Sequence, residues 1–275
     1  MSANSRVSAM KQSDLAQLST HWSNIFRARE GEGDAAMAAR NALLLRYIEV
    51  VLRYLRAALR DPGVVDQVCS NFALRVLESD RLYQNADPER GRFRDYLKAV
   101  LQHMIADYYR QESRENKQCQ RLSGEYELPD PSSLSEELDQ DFVRCWREEL
   151  IKWVWRQLDQ RDQKTGQKYA VLLRLQAKKP EMRSTQLAEL LSQKLGKPFT
   201  AAGVRQLLHR AREVFGDLLV AEVARSLQVD PGDPDGNRRV EEELIDLGLL
   251  FSYCKKALER CRARDQKSPI SEVNR

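Results

Sequence analysis

Hydrophobic residues recur at three- and four-residue spacing along most of the chain, and this pattern predicts helices almost throughout. Leu44, Tyr47, Ile48, Val51, Leu52 and Leu55 form one stripe, in a helix that starts near Ala36 and stops at Asp61, Pro62 and Gly63. Val65, Val68, Phe72, Val76 and Leu77 mark a second helix. A polar break from Ser79 to Gly91 follows, with Asn85, Asp87 and Pro88 as turn residues. The third helix is predicted from Arg92 to about Arg114. It carries Phe93, Leu97, Val100, Met104 and Tyr108 on one stripe, with Tyr96, Leu101 and Ile105 widening it. Arg94, Lys98 and Gln102 make a polar i, i+4 row on another face. Ahead of these helices, residues 1–35 are mostly polar, with one short helix expected around Leu15–Arg29.

The pattern resumes at Phe142. Helices are predicted over Phe142–Asp159, Tyr169–Gln176, Ser184–Leu195 and Thr200–Leu219, with Trp146, Leu150, Trp153 and Val154 on the apolar side of the first. The run VDPGDPDGN (229–237) reads as a breaker. One last helix is expected over Arg238–Arg264, bearing Leu244, Leu247, Leu250, Tyr253 and Leu258. No alternating strand pattern and no internal repeat is visible, so the predicted fold class is all-α.

Between the two helical runs lies EYELPDPSSLSEELDQD (125–141). It holds Glu125, Glu127, Asp130, Glu136, Glu137, Asp139 and Asp141 and no Lys or Arg, which is the composition of a flexible acidic linker, one that enters a helix near Ser133–Ser135. The expected organisation is a polar segment (1–35), a first helical module (36–115), an acidic linker (116–141), a second helical module (142–227) and a C-terminal helical extension (228–275).

Composition narrows the function classes. The chain has 275 residues, 42% of them hydrophobic and 31% charged, with a formal net charge of +4. A balance so mildly basic means that any nucleic-acid site must come from local clustering. Cys69, Cys119, Cys145, Cys254 and Cys261 form no CxxC pair, which argues against a disulfide framework and a zinc site and suggests a reducing compartment. MSANSRVSAMKQSD lacks the apolar core of a signal peptide, and no stretch approaches the ~20 apolar residues of a membrane span. A cytoplasmic protein with no membrane segment is therefore expected. His21, His103 and His209 lie in separate segments, with no HExxH, P-loop or GxSxG motif. The expectation is a non-enzyme without metal or cofactor.

Two segments concentrate positive charge. In STQLAELLSQKLGKPFTAAGVRQLLHRAREVF (184–215), a first helix would bury Leu187, Leu190, Leu191 and Leu195. Gly196 suits its C′ position, and Thr200 suits the N-cap of the next helix. That helix would bury Val204, Leu207 and Leu208 and show Arg205, Gln206, His209, Arg210 and Arg212 on its other face. Residues 197–212 contain four basic side chains and no acid. This is the plan of a helix-turn-helix, in which Arg and Gln meet base edges and other cations meet phosphates. Two surface helices with a solvated basic face would give the same pattern. The second segment, Arg90–Arg121, has eight basic against four acidic side chains, with Tyr96, Tyr108 and Tyr109 interleaved. Aromatics beside cations can hold single strands, whereas core tyrosines and a basic helix end are the structural alternative.

Three stretches, taken in order, resemble the bacterial RNA polymerase sigma factors of the extracytoplasmic-function group. RDPGVVDQVCSNFALRVLE resembles the polymerase-docking helix, D-P-x-D-A-E-D-L-V-Q-E-x-F-L-R, through Asp61, Pro62, Asp66, Val68, Leu74 and Arg75. RGRFRDYLKAVLQHMIADYYRQESR resembles the promoter-melting helix, F-R-x-W-L-x-x-I-A-R-N-x-x-x-D-x-x-R-R, through Phe93, Arg94, Leu97, Val100, Asp107 and Arg110. GVRQLLHRAREVF resembles the T-V-K-S-R-L-H-R-A-R-x-x-L end of the second module through Val204, Arg205, Leu208, His209, Arg210, Ala211 and Arg212. Gln67, Ser70 and Asn71 depart from the docking pattern, Gln102 and His103 replace its Arg–Asn pair in the melting helix, and Leu207 replaces a basic residue.

The resemblance implies a factor that binds RNA polymerase core and promoter DNA. Asp66, Gln67 and Asn71 would face polymerase. Arg94, Lys98, Gln102, His103, Tyr109, Arg110 and Arg114 would hold the opened downstream element. Lys197, Thr200, Arg205, Gln206, His209, Arg210 and Arg212 would bind the upstream element, with Arg205 and Gln206 on bases and Lys197, Arg210 and Arg212 on phosphates. The acidic linker would occupy a basic channel of the polymerase. The C-terminal helix reads either as packing on the second module or as a docking site for a regulator such as an anti-sigma factor. A stand-alone helix-turn-helix regulator and an all-helical adaptor are the alternative readings.

Overall fold

The computed structural model describes residues 21–29, 33–59, 61–78, 81–87, 91–119 and 136–265. Every regular element among them is helical: His21–Arg29 (α1), Asp34–Ala58 (α2), Pro62–Glu78 (α3), Arg81–Gln84 (α4), Phe93–Cys119 (α5), Glu136–Thr165 (α6), Tyr169–Lys178 (α7), Ser184–Leu195 (α8), Ala201–Leu227 (α9), Pro234–Asp246 (α10) and Ser252–Asp265 (α11). No helix among the described residues is long and apolar enough to cross a membrane. The chain divides into two units, 1–149 and 150–275.

In the first unit, α2 buries a stripe rotated from the predicted one, with Leu44, Ile48 and Leu52 only half-buried, whereas α3 buries its predicted stripe apart from the half-buried Leu77. Tyr47, Val50, Val51, Tyr54 and Leu55 of α2 are buried, as are Val65, Val68, Phe72 and Val76 of α3. The start of α6 joins this core. The Tyr47 ring stacks on Trp146 at 5.3 Å and meets Phe93 at 5.0 Å, and Tyr54 meets Phe142 edge-on at 5.2 Å. Polar ties accompany the rings, with Lys98 paired to Asp139 at 2.6 Å and Arg53 to Glu148 at 2.6 Å. Phe142 and Trp146, assigned from the sequence to the second module, thus pack in the first unit. Residues 116–119 of the expected linker extend α5, and 136–141 begin α6, next to the helix entry expected near Ser133–Ser135. Its acids Glu125, Glu127 and Asp130 lie outside the described residues, as does Leu15.

One buried cation organises the N-terminal part of this unit. Arg40 donates from Nε and Nη2 to the Ala28 carbonyl at 3.2 and 3.0 Å, and from Nη1 to the Leu77 carbonyl at 3.0 Å. Those carbonyls belong to the last turns of α1 and α3, where helices leave C=O groups unsatisfied and the dipole is negative. The guanidinium also lies over the Tyr83 ring at 5.7 Å, and the Tyr83 hydroxyl donates to the Val76 carbonyl. A single side chain thereby joins four helices.

In the second unit, α7, α8 and the first half of α9 share a core of Leu172, Leu187, Leu191, Val204 and Leu208, with Met182, Leu195 and Phe199 packed around it. Asp162, late in α6, accepts from the Ala170 N–H at 2.8 Å and so caps α7 across the turn. Arg174 returns the tie with a two-pronged contact to Asp159, both at 2.7 Å, while lying over Trp155 at 4.9 Å.

The second half of α9 is covered by a helical hairpin rather than by the single expected helix. Two caps explain the difference. Asp233 accepts from the Gly236 N–H at 2.9 Å, with Pro234 in the first turn, so part of the supposed breaker run is the start of α10. At the other end Gly248 is left-handed (φ 64). The Leu249 N–H bonds to the Leu244 carbonyl at 2.7 Å and the Gly248 N–H to that of Ile245 at 2.8 Å. That is a glycine-terminated helix end. Leu244, Leu247 and Leu258 are buried, and Gly216 of α9 sits so close to Tyr253 that an added Cβ would lie 2.8 Å from its carbonyl oxygen. The apolar stripe of the extension is therefore used in packing; Ile245 and Phe251 near the hairpin tip remain exposed.

Gly236 is tighter still, since a Cβ there would lie 2.1 Å from the Asp230 carbonyl oxygen. Gly236→Ala is expected to destabilise the second unit by about 2–3 kcal/mol, read as a lowered thermal midpoint.

Candidate nucleic-acid interface

The turn between α8 and α9 is built by local hydrogen bonding. Gly196 adopts a left-handed conformation (φ 65) that ends α8. Ser192 Oγ donates to the Ala188 carbonyl at 2.7 Å and accepts from the Phe199 N–H at 2.8 Å, which draws Phe199 onto the core. Thr200 Oγ1 then accepts from the Gly203 N–H at 3.1 Å and starts α9. Thr200 was expected at the DNA surface; it is exposed, and its hydroxyl oxygen has this capping task as well.

Val204, Leu208, Ala211 and Phe215 fix the buried face of α9, leaving Arg205, Gln206, His209, Arg210 and Arg212 exposed on the other, with Lys197 exposed in the turn. At about 100° per residue, Gln206 lies nearly opposite the buried stripe. His209 and Arg210 fall about 50° to either side of it, while Arg205 and Arg212 stand at one margin, about 90–110° away. Among the described residues Lys197, Arg205 and Arg210 make no ion pair. His209 pairs with Glu213 at 3.4 Å if it is protonated. Of the seven expected side chains, the five on α9 share its exposed side, with Arg205 and Arg212 at its edge, and Lys197 and Thr200 are exposed in the turn before it.

Glu213 and Asp217 continue the same exposed line of α9, and both are met from α11. Arg260 reaches Asp217 at 2.6 Å and Glu213 at 3.5 Å. Arg212 is close enough to the Tyr253 hydroxyl to act on its ionisation, but burial prevails and pushes that phenol up to about 12. Tyr253 also meets Phe215 edge-on at 6.4 Å. Sequence reasoning missed Arg260 because no local pattern marks a contact 43 positions away.

The set expected on α5 is split. Counted from Arg94 at about 100° per residue, Lys98, Gln102 and Tyr109 share its side of the helix, and His103, Arg110 and Arg114 lie on the opposite side. Arg94 is buried, with Asp95 at 3.6 Å, Lys98 is held by Asp139, and Gln102 lies beside the buried Tyr54 hydroxyl. Tyr109 is half-buried against Tyr108. His103, Arg110 and Arg114 are exposed, and Asp107 between them contacts Arg110 at 2.9 Å and Arg75 at 3.8 Å. The i, i+4 row of the sequence is therefore a packing face. On α3, the expected Asp66, Gln67 and Asn71 are exposed together with Leu74, opposite the buried stripe.

No group of His, Cys, Asp or Glu among the described residues is arranged to hold a metal ion. Burial pushes the Cys254 thiol up to about 11, so it packs as an apolar group rather than a nucleophile. No family model matches the chain, and no curated protein or solved structure matches it either.

Proposed function

We propose that the chain is a sigma-type initiation factor. The observation that carries the reading is the exposed face of α9, whose cations and amide follow a glycine turn and a supporting helix in the manner of a helix-turn-helix. Three stretches resembling one family in the right order add to it. In this reading the second unit lays α9 in the major groove of an upstream promoter element. Gln206 and Arg210, nearest the outermost line, take base edges; Arg205, Arg212 and Lys197 take phosphates. This reading exchanges two roles expected from sequence: Arg205, at the margin, goes to the backbone, and Arg210, nearer the outermost line, goes to a base. The first unit docks on polymerase core through Asp66, Gln67, Asn71 and the exposed Leu74. Single-stranded downstream DNA then meets His103, Arg110 and Arg114 rather than the packed row of Arg94, Lys98 and Gln102. Such a factor is cytoplasmic and needs no cofactor.

The test is a pull-down with RNA polymerase core followed by promoter-dependent run-off transcription. Core binding with initiation is the expected result. Tight duplex binding without core capture would instead identify a stand-alone regulator, and absence of both would leave an adaptor. With a selected promoter, Gln206→Ala should relax base preference at one position of the upstream element, whereas Arg205→Ala should weaken all sequences alike.

A further inference from the structure

A helix that enters DNA is served badly by carboxylates on its exposed line, and α9 carries two of them. Glu213 falls within about 20° of Gln206 around the helix, two turns further on, and Asp217 follows one turn later on nearly the same line. Left alone, both would face a phosphate backbone that approaches α9 along its length. Arg260 of α11 lies across the pair, at 2.6 Å from Asp217 and 3.5 Å from Glu213. These side chains are one-third to one-half exposed. Ion pairs of that kind add little to stability. Their larger effect is on the charge that the face presents.

The position of α11 is fixed at this spot by a backbone contact, Gly216 against Tyr253. Tyr253, Lys256 and Arg260 occur at i, i+3 and i+7 and share one side of α11. Tyr253 and Arg260 both touch α9; Lys256 is exposed, lies between them along the axis of α11, and stands about 40–60° further round that helix. Among the described residues Lys256 makes no ion pair. No acid occupies the first turn of α11, where Lys255 is also exposed.

We infer that the C-terminal hairpin is a working part of the duplex-binding surface: Arg260 neutralises Glu213 and Asp217 on α9, and Lys256 adds a phosphate contact past the end of the Arg205–Arg212 margin. The inference rests on the reading of α9 as a DNA-facing helix. Its ligand is the backbone of duplex DNA flanking the bases that α9 reads, so its contribution is independent of sequence and dependent on salt.

The probe is a labelled mixed-sequence duplex of about three helical turns, titrated with the full chain over a salt series. Lys256→Ala should weaken binding by roughly two- to ten-fold and reduce the slope of log affinity against log salt by about 0.9, the value for one phosphate contact. Arg260→Ala should weaken it by about ten-fold or more, because two carboxylates are uncovered. Adding Glu213→Gln and Asp217→Asn to Arg260→Ala should return affinity to near the wild-type value. A structural role for Arg260 would not be rescued in that way, so failure of the rescue at an unchanged melting temperature overturns the neutralisation. An unchanged salt slope in Lys256→Ala overturns the added contact. If these variants bind like wild type while Arg210→Glu does not, the hairpin inference fails and the α9 reading stands. If the wild-type chain itself binds no duplex at low salt, both fall.

Discussion

Reversing Arg205 and Arg210 together to Glu is expected to lower duplex affinity by about 10²–10³-fold and to abolish promoter-dependent run-off. Arg210 stands near the outermost line of α9 and Arg205 at its margin, so the pair spans the exposed arc. A bidentate base contact is worth about 1–3 kcal/mol, and a phosphate contact contributes through counterion release that each reversed charge turns into repulsion. Both side chains are exposed and without ion pairs among the described residues, so the buried stripe of Val204, Leu208 and Ala211 is untouched. Circular dichroism and the melting temperature should stay at wild-type values. Capture of polymerase core, which the proposal assigns to α3, should also persist. A double variant that initiates normally would remove α9 from the DNA.

The second large effect is on stability. Arg40→Ala is expected to cost the first unit about 3–5 kcal/mol, because hydrogen bonds from a charged donor contribute about 1.5–3 kcal/mol each and the carbonyls left behind are helix ends with no other donor supplied by the substitution. Ala28 is fully buried and Arg40 is 6% exposed, so water enters poorly to replace the guanidinium. Arg40→Lys should recover only part of the loss, since a single ammonium cannot span the Ala28 and Leu77 carbonyls in the planar geometry of a fork. Chemical denaturation of the two variants checks this. Equal midpoints for Arg40→Ala and the wild type would show that the three contacts contribute nothing net.

Helix identity and the α9 surface were legible in the sequence because both follow from spacing. Val65, Val68, Phe72 and Val76 need only their own periodicity to declare a buried face, and Gly196 with Thr200 announces a stop and a start within five residues. What was not legible depends on groups distant in the chain. The polar row Arg94, Lys98 and Gln102 has the spacing of a solvent-facing stripe, and only Asp139 and Tyr54, from other helices, turn it inward. By spacing Arg40 is one more cation on an amphipathic helix, and the two helix ends at its tip, Ala28 and Leu77, come from elsewhere in the chain. The extension misled for a local reason. Leu244, Leu247 and Leu250 keep helical phase across Gly248, so the hydrophobic pattern runs through a place where the backbone turns left-handed. In DPGDPDGN the prolines and glycines suggested only interruption, although Asp233 and Pro234 are the cap and first residue of a helix.

The hairpin that covers the second half of α9 also sets an order of events during synthesis. Leu219, Val220, Val223 and Leu227, all buried, leave the ribosome before α10 and α11, the helices that pack on α9. Until α11 has emerged, the helix assigned to DNA carries an uncovered apolar flank along its last three turns, a state prone to association with other chains. A nascent or trimmed polypeptide ending near Leu227 would hold every residue of the α9 surface and still be a ward of chaperones, so the ability to touch DNA is completed only with the arrival of α11.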